Sequence, residues 1–252
     1  MLLHEDTSFA CYSLPGSTNF ELIQGEILKL PICELPNESG FLIAEFENNR
    51  QAYFLSCSTK KTNPTFTFDA THNFNMVNIT ESNYLDLCKD YITYCQLNLS
   101  KIVLSRIKTI PVSLRADRLF HAFKNAYPNA FVYLINSTEF GTWIGATPEI
   151  LLKRKFNQYT TIALAGTKPL IGNTQWTSKE KNEQQLVTDF ILDELKNLKI
   201  EASSVGPTTV NAGNLQHICT QLNFKTETER CKIINALHPT PAVCGLPPRE
   251  AK

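Results

Sequence analysis

AFVYLINSTEFGTWIGATPEILLKRKFNQYTTIALA, residues 130–165, holds four apolar runs separated by turn residues. Residues 130–136, 142–145, 150–155 and 159–165 each mix β-branched, aromatic and aliphatic side chains, with Gly141 and Asn157 between them. Runs of that length and composition, bounded by turn formers, read as strands. They follow one another without a helix-length spacer, and parallel neighbours would need a crossover of about a dozen residues or more. Antiparallel pairing follows, and the predicted fold class is α+β: two packed antiparallel sheets with helices outside.

Upstream, residues 21–28, 41–46 and 52–56 read as further short strands, and the Thr/Asn-rich stretch 60–78 as a loop. Residues 82–98 place Leu85, Leu87, Cys88, Ile92 and Cys95 at spacings that suit an amphipathic helix. Residues 101–112 form a β-rich run ending at Pro111, and 115–126 a helix stopped by Pro128. Downstream, Thr177-Ser-Lys-Glu180 is a capping-box pattern. The helix it opens carries an apolar stripe of Leu186, Val187, Phe190, Ile191, Leu195 and Leu198. Residues 207–210 and 215–224 read as strands and 227–237 as a short helix, followed by the loop HPTPAVCGLPP at 238–248. There is no internal repeat.

The chain has 252 residues, 24 Lys+Arg and 24 Asp+Glu, hence a formal net charge of zero. With no basic excess and no polybasic run, nucleic acid and anionic membrane surfaces are not expected partners. No apolar run reaches the roughly 20 residues of a membrane span. The acidic start, MLLHED, lacks the basic n-region of a signal peptide. The eight cysteines, at 11, 33, 57, 88, 95, 219, 231 and 244, form no C-x-x-C pair. Their scatter suits reduced, buried thiols and a cytoplasmic protein. The sequons at Asn37, Asn78, Asn98 and Asn136 are then chance matches.

Several residues could carry chemistry. Lys101 heads the apolar run KIVLSR: desolvated there, its pKa would fall toward that of a general base, and snorkelling to water it would be an ordinary surface lysine. Glu149, between Pro148 and three apolar residues, is either a carboxyl held protonated as an acid or simple turn punctuation. Glu180 and Glu183, three apart on a helix, share one face and suit a hard divalent cation, though acidic residues also favour any helix N-terminus. Gly166-Thr167 at a strand end offers N–H groups and a hydroxyl to an anion, without a phosphate-loop pattern. His217, in LQHICT, is a core residue or a ligand contact.

Taken in order, KIVLSR (101–106), GATPEILLKR (145–154), ALAGTKP (163–169), SKEKNEQQLV (178–187), LQHICT (215–220) and LHPTPAVCGLPPREA (237–251) resemble the chorismate-utilising enzymes, closest to their isochorismate synthase branch of menaquinone or siderophore type. Each segment is weak alone, and the six in register are specific. Residues 1–100 carry no recognisable motif, so the resemblance implies a single chorismate-binding domain whose catalytic part lies in 101–252. It implies that Lys101 activates water for attack at C2 of chorismate and that Glu149 protonates the departing C4 hydroxyl. It implies Mg2+ bound by Glu183 and supported by Glu180. Leu164, Ala165, Gly166, Thr167, His217 and Thr240 would line the substrate pocket. A dianionic substrate on a neutral chain makes the cation's charge useful.

Ala165 stands where similar aminodeoxychorismate synthases carry a nucleophilic lysine, which implies the water-using branch. Salicylate synthase and anthranilate synthase component I are the enzymatic alternatives, and an inactive fragment or interaction module the non-enzymatic one. Gln184 departs from the family, which usually has His after the metal-binding Glu. The family's later segments, with a Tyr-Gly-rich stretch, a carboxylate-binding Arg and a second metal-binding Glu, have no counterpart up to Lys252. The chain is therefore expected to be truncated and to lack full activity. The resemblance leaves the oligomeric state open.

Overall fold

The four runs at 130–165 do form strands. The computed structural model describes residues 1–34, 36–46, 51–70, 79–98, 101–172 and 175–251. In chain order the elements are β1 (Phe9–Ser13), β2 (Glu21–Gln24), β3 (Ile27–Pro31), a 3-10 turn (Ile32–Glu34), β4 (Gly40–Ala44), β5 (Gln51–Ser56), β6 (Thr59–Thr62), α1 (Glu81–Asn98), β7 (Lys101–Ile102), α2 (Ala116–Ala126), β8 (Phe131–Ser137), β9 (Gly141–Thr147), β10 (Lys153–Lys155), β11 (Gln158–Pro169), α3 (Ser178–Asn197), β12 (Ala202–Ala212), β13 (Leu215–Lys225), α4 (Arg230–Leu237) and β14 (Gly245–Leu246). Every pairing between named strands is antiparallel, so the mixed helix and antiparallel-sheet class holds. The chain divides into two units, Met1–Phe74 with Val112–Glu149 and Asn75–Pro111 with Ile150–Lys252.

In the first unit a five-stranded sheet runs β6-β2-β1-β8-β9 and a three-stranded sheet β3-β5-β4. Successive side chains of a strand point to opposite faces. Phe9 and Cys11 of β1 and Val132 and Leu134 of β8 therefore share a core with Phe120 of α2 and with Phe68. Ala10 and Ile135 turn the other way, onto Leu55 of β5 and Ile43 of β4. Both faces of the central strands are buried, which is why β8 reads as a largely apolar run, whereas β1 had no strand reading from sequence.

In the second unit a four-stranded sheet runs β10-β11-β13-β12, and β7 pairs with β14. Tyr159, Ala163 and Ala165 of β11 and Leu222 and Phe224 of β13 meet Val187, Ile191 and Leu195 of α3. The stripe read from sequence is thus the face that seats α3 on the sheet.

Five expectations need correction. Residues 21–28 form two strands, not one: β2 ends at Gln24 in the five-stranded sheet and β3 begins at Ile27 in the three-stranded sheet, because each pairs with a different partner. The run 101–112 is a strand only at Lys101–Ile102, because its described partner β14 is two residues long and a strand exists only where a ladder supports it. Residues 150–155 form a strand only over Lys153–Lys155: Leu151 and Leu152 pack beneath the second core instead. The stretch 60–78 opens with the edge strand β6 paired to β2, while 71–78 lie outside the described residues. Strand β12 extends well beyond 207–210, with Pro207 placed at the register shift between Val205 and Thr208, where a missing N–H is tolerated.

Candidate functional site

The start of α3 is fixed by the predicted capping box. Thr177 Oγ1 accepts from the Lys179 N–H (3.2 Å), and the Glu180 carboxylate accepts from the Thr177 N–H (3.0 Å) and from its hydroxyl. The Thr177 hydroxyl bond holds the Glu180 carboxyl below the usual carboxylate range. One turn on, Glu183 Oε1 lies 3.0 Å from Lys101 Nζ, with the lysine side chain 9% and the glutamate 34% exposed. The Lys101 side chain is therefore largely withdrawn from water and held against the Glu183 carboxylate, not extended into solvent as the snorkelling reading has it.

The segment that follows α4 holds Lys101 in place. The carbonyl of buried Thr240 accepts from the N–H groups of Val243 and Cys244, both at 3.1 Å, closing a turn into β14. Leu246 then pairs with Lys101 and Gly245 with Ile102, and the Val103 N–H donates to Cys244 O at 2.9 Å. Gly245 has φ +148°, and a Cβ there would lie 2.5 Å from the Lys101 carbonyl oxygen. This residue escaped the sequence reading. A glycine between buried Cys244 and Leu-Pro-Pro was the available signal, since such isolated glycines mark close backbone approach.

On β11, Gly166 (φ +72°) sits at the register shift between Ala165 and Thr167. A Cβ on it would come within 3.0 Å of Glu180 O and 3.1 Å of Glu180 Cβ. The bulge thus lets the first turn of α3 approach the strand. Beyond it Thr167 faces His217 across the ladder, with Oγ1 and Nδ1 3.0 Å apart. Ala165 packs toward α3, and the buried Leu164 points to the other face of the sheet. Glu149 belongs to the first unit, where its N–H donates to Thr147 Oγ1 at 3.2 Å.

The second unit therefore gathers Lys101 with Glu183, Glu180 with Gly166, and Thr167 with His217. Among the described residues no group of three or more His, Cys, Asp or Glu side chains comes together as a metal cluster. A groove of about 750 Å³ in the first unit, lined by Phe41, Tyr53, Phe131, Tyr133, Phe140 and Trp143, includes none of the residues singled out from sequence. Among the described residues no helix is long and apolar enough to cross a membrane.

Residues 37–252 match the family described as chorismate binding enzyme. Isochorismate synthase 2, chloroplastic, of Arabidopsis thaliana is 30% identical over 187 residues, covering 68% of this chain and 32% of that protein. Isochorismate synthase EntC of Escherichia coli is 27% identical over 168 residues, covering 61% of this chain and 43% of that protein. The chain thus spans less than half the length of these curated relatives. The solved menaquinone-specific isochorismate synthase from Escherichia coli superposes with a TM-score of 0.76 at 16% identity, over 98% of this chain and 72% of that one, which establishes the shared fold.

Proposed function

Because the chain belongs to the chorismate binding enzyme family, we propose that it acts on chorismate as an isochorismate synthase. The observation that carries the reading is the pairing of Lys101 with Glu183 on α3, whose first turn the Gly166 bulge lets approach the strand: a base candidate and a carboxylate brought together from distant parts of the chain. Lys101, as general base, takes a proton from the water that attacks C2. Glu149 gives a proton to the C4 oxygen as the ring double bond shifts and that oxygen departs as water. One proton leaves and one enters, so the net change is an isomerisation. Leu164, Ala165, Gly166, Thr167, His217 and Thr240 are assigned to substrate. The N–H groups at the bulge and the Thr167 hydroxyl suit a carboxylate.

The donor set fits Mg2+. Glu183 and Glu180 offer hard oxygens one turn apart, and Mg2+ is commonly held by one or two carboxylates with waters and substrate oxygens completing its shell. Glu183 would be the direct ligand and Glu180 its support. Bound there, the cation would offset the charge of the substrate's ring carboxylate. Tyr133 and Trp143 belong to a different groove and have no part in this assignment.

The test is product analysis after incubating the chain with chorismate and Mg2+. Isochorismate is expected, with Lys101→Gln and Glu149→Gln each slowing its formation by about 10²-fold or more, the usual contribution of a positioned acid or base. Salicylate, anthranilate formed with ammonia, or chorismate binding without turnover would each overturn the reading.

A further inference from the structure

Gln184 follows the proposed metal ligand Glu183, about 100° further round α3, and is only 2% exposed. Its Nε2 lies 2.8 Å from Thr220 Oγ1 on β13, 2.8 Å from Thr188 Oγ1 one turn along α3, and 3.4 Å from the Ala163 carbonyl on β11. A primary amide has two N–H donors, so the two short contacts use both. The Thr188 hydroxyl in turn donates to the Gln184 carbonyl at 3.2 Å, closing the loop on the helix. Gln184 lies one turn before Val187 on the side of α3 that packs with Ala163, Ala165 and Leu222 of the sheet. An apolar side chain would fill such a place without the desolvation cost an amide carries. What the amide adds is direction. Apolar contacts tolerate a small slide or rotation of a helix over a sheet, whereas hydrogen bonds to Thr220 and Thr188 specify one depth and one rotation.

That constraint falls where the site needs it. Each residue step turns a helix by about 100° and advances it by about 1.5 Å. Glu180, one turn before Gln184, lies with its backbone carbonyl and Cβ against Gly166, and Glu183 reaches Lys101 across to another element. A slip of one step would carry the Glu183 carboxylate off Lys101 and the Glu180 backbone off the bulge, while the Glu180 carboxylate would stay with Thr177 in the helix cap.

We propose that Gln184 is a positioning residue: its bridge from α3 to β13 sets Glu183 against Lys101, and so tunes the affinity of the Glu183 carboxylate for a divalent cation. The proposal rests on the assignment of Mg2+ to Glu183. Calorimetric titration of Mg2+ into the wild-type chain and Glu183→Gln examines that assignment first: equal binding by both would overturn it, and this inference with it. With the assignment standing, Gln184→Met keeps the volume and removes the donors, and Thr220→Val removes the same bond from the sheet side. Each is expected to weaken Mg2+ binding by about 10- to 100-fold, the range found when groups that orient metal ligands are removed. The melting temperature should move by no more than about 4 °C, the shift expected for a loss of one weak interaction in a chain of this size. A purely structural amide would lower the melting temperature and leave the Mg2+ affinity of the folded protein unchanged. Unchanged affinity in both variants, or failure of both to fold, would overturn the proposal.

Discussion

At Lys101 the backbone decides more than the side chain does. The Lys101 side chain reaches Glu183 from a backbone that β14 holds, and the φ of +148° and missing Cβ of Gly245 let β14 lie against β7. Gly245→Ala places a methyl group 2.5 Å from the Lys101 carbonyl oxygen and 2.6 Å from Ala251 Cβ, so the strands must part. The expected cost is about 1–3 kcal/mol, as for other overpacked sites, read as a lower urea midpoint. The same variant should make the Lys101 amine more reactive toward acylating reagents, measured by peptide mass analysis. Unaltered labelling would show that Gly245 does not hold Lys101. The capping role of Glu180 was legible in sequence, because Thr177 followed three residues later by a glutamate marks a helix start. The ion pair was not, since nothing local to KIVLSR or SKEKNE says that a strand of two residues will meet the first turns of a helix about eighty residues later. Gly245 was hidden for a similar reason: the need for glycine arises from Lys101, a residue distant in the chain.

The helices show the same division between local and distant causes. For α3 the sequence contained both its start and its buried stripe, and both are observed. Thr177→Ala removes the acceptor for the Lys179 N–H and the donor to Glu180. It should cost about 1 kcal/mol of unfolding free energy, the usual value of a lost N-cap. For α2 the start is set from outside the helix. Arg115 donates Nε and Nη2 to the two Asp117 oxygens at 2.9 and 3.0 Å, and the Phe68 N–H donates to the same carboxylate at 3.4 Å. Burial alone would push the Asp117 carboxyl up, but these donors outweigh it and hold it below the ordinary carboxylate range. A depressed folded-state pKa gives stability that is present above the unfolded value, near 4, and is lost as pH falls through the folded one. Asp117→Asn should therefore destabilise the protein by about 1–3 kcal/mol near neutrality, the cost of leaving buried partners poorly matched. The gap from wild type should close as the pH approaches 2, in parallel urea titrations. A gap that persists at low pH would mean the carboxylate's charge is not what matters. Strands were read less well than helices, because β-propensity marks a segment able to pair, and the partner decides how much of it does. Thus 101–112 yields two paired residues, while β1, with no β-branched residue, is held by two flanking strands.

For the whole molecule, zero net charge takes on a consequence that composition alone did not reveal. The run 103–110 leaves Ile107 and Ile110 55% and 60% exposed, and α1 leaves Leu85 and Ile92 similarly open. Exposed apolar side chains favour association, and a chain with no net charge has no long-range repulsion to oppose it. Association should therefore be strongest near the pI of about 6.9. Replacing Ile107 and Ile110 by Ser removes apolar area at constant charge, and replacing both by Lys removes the same area and adds two positive charges. Solubility at pH 7 should rise in the order wild type, double Ser, double Lys. Because the two side chains are exposed and the segment carries no ladder beyond Ile102, unfolding free energy should stay within about 0.5 kcal/mol in both variants. The two readouts separate the causes. A solubility gain only in the Lys variant would assign the association to charge balance. A stability loss above about 1 kcal/mol in both would show that Ile107 and Ile110 are packed in solution, and the run 101–112 would then be a paired strand, as its composition first suggested.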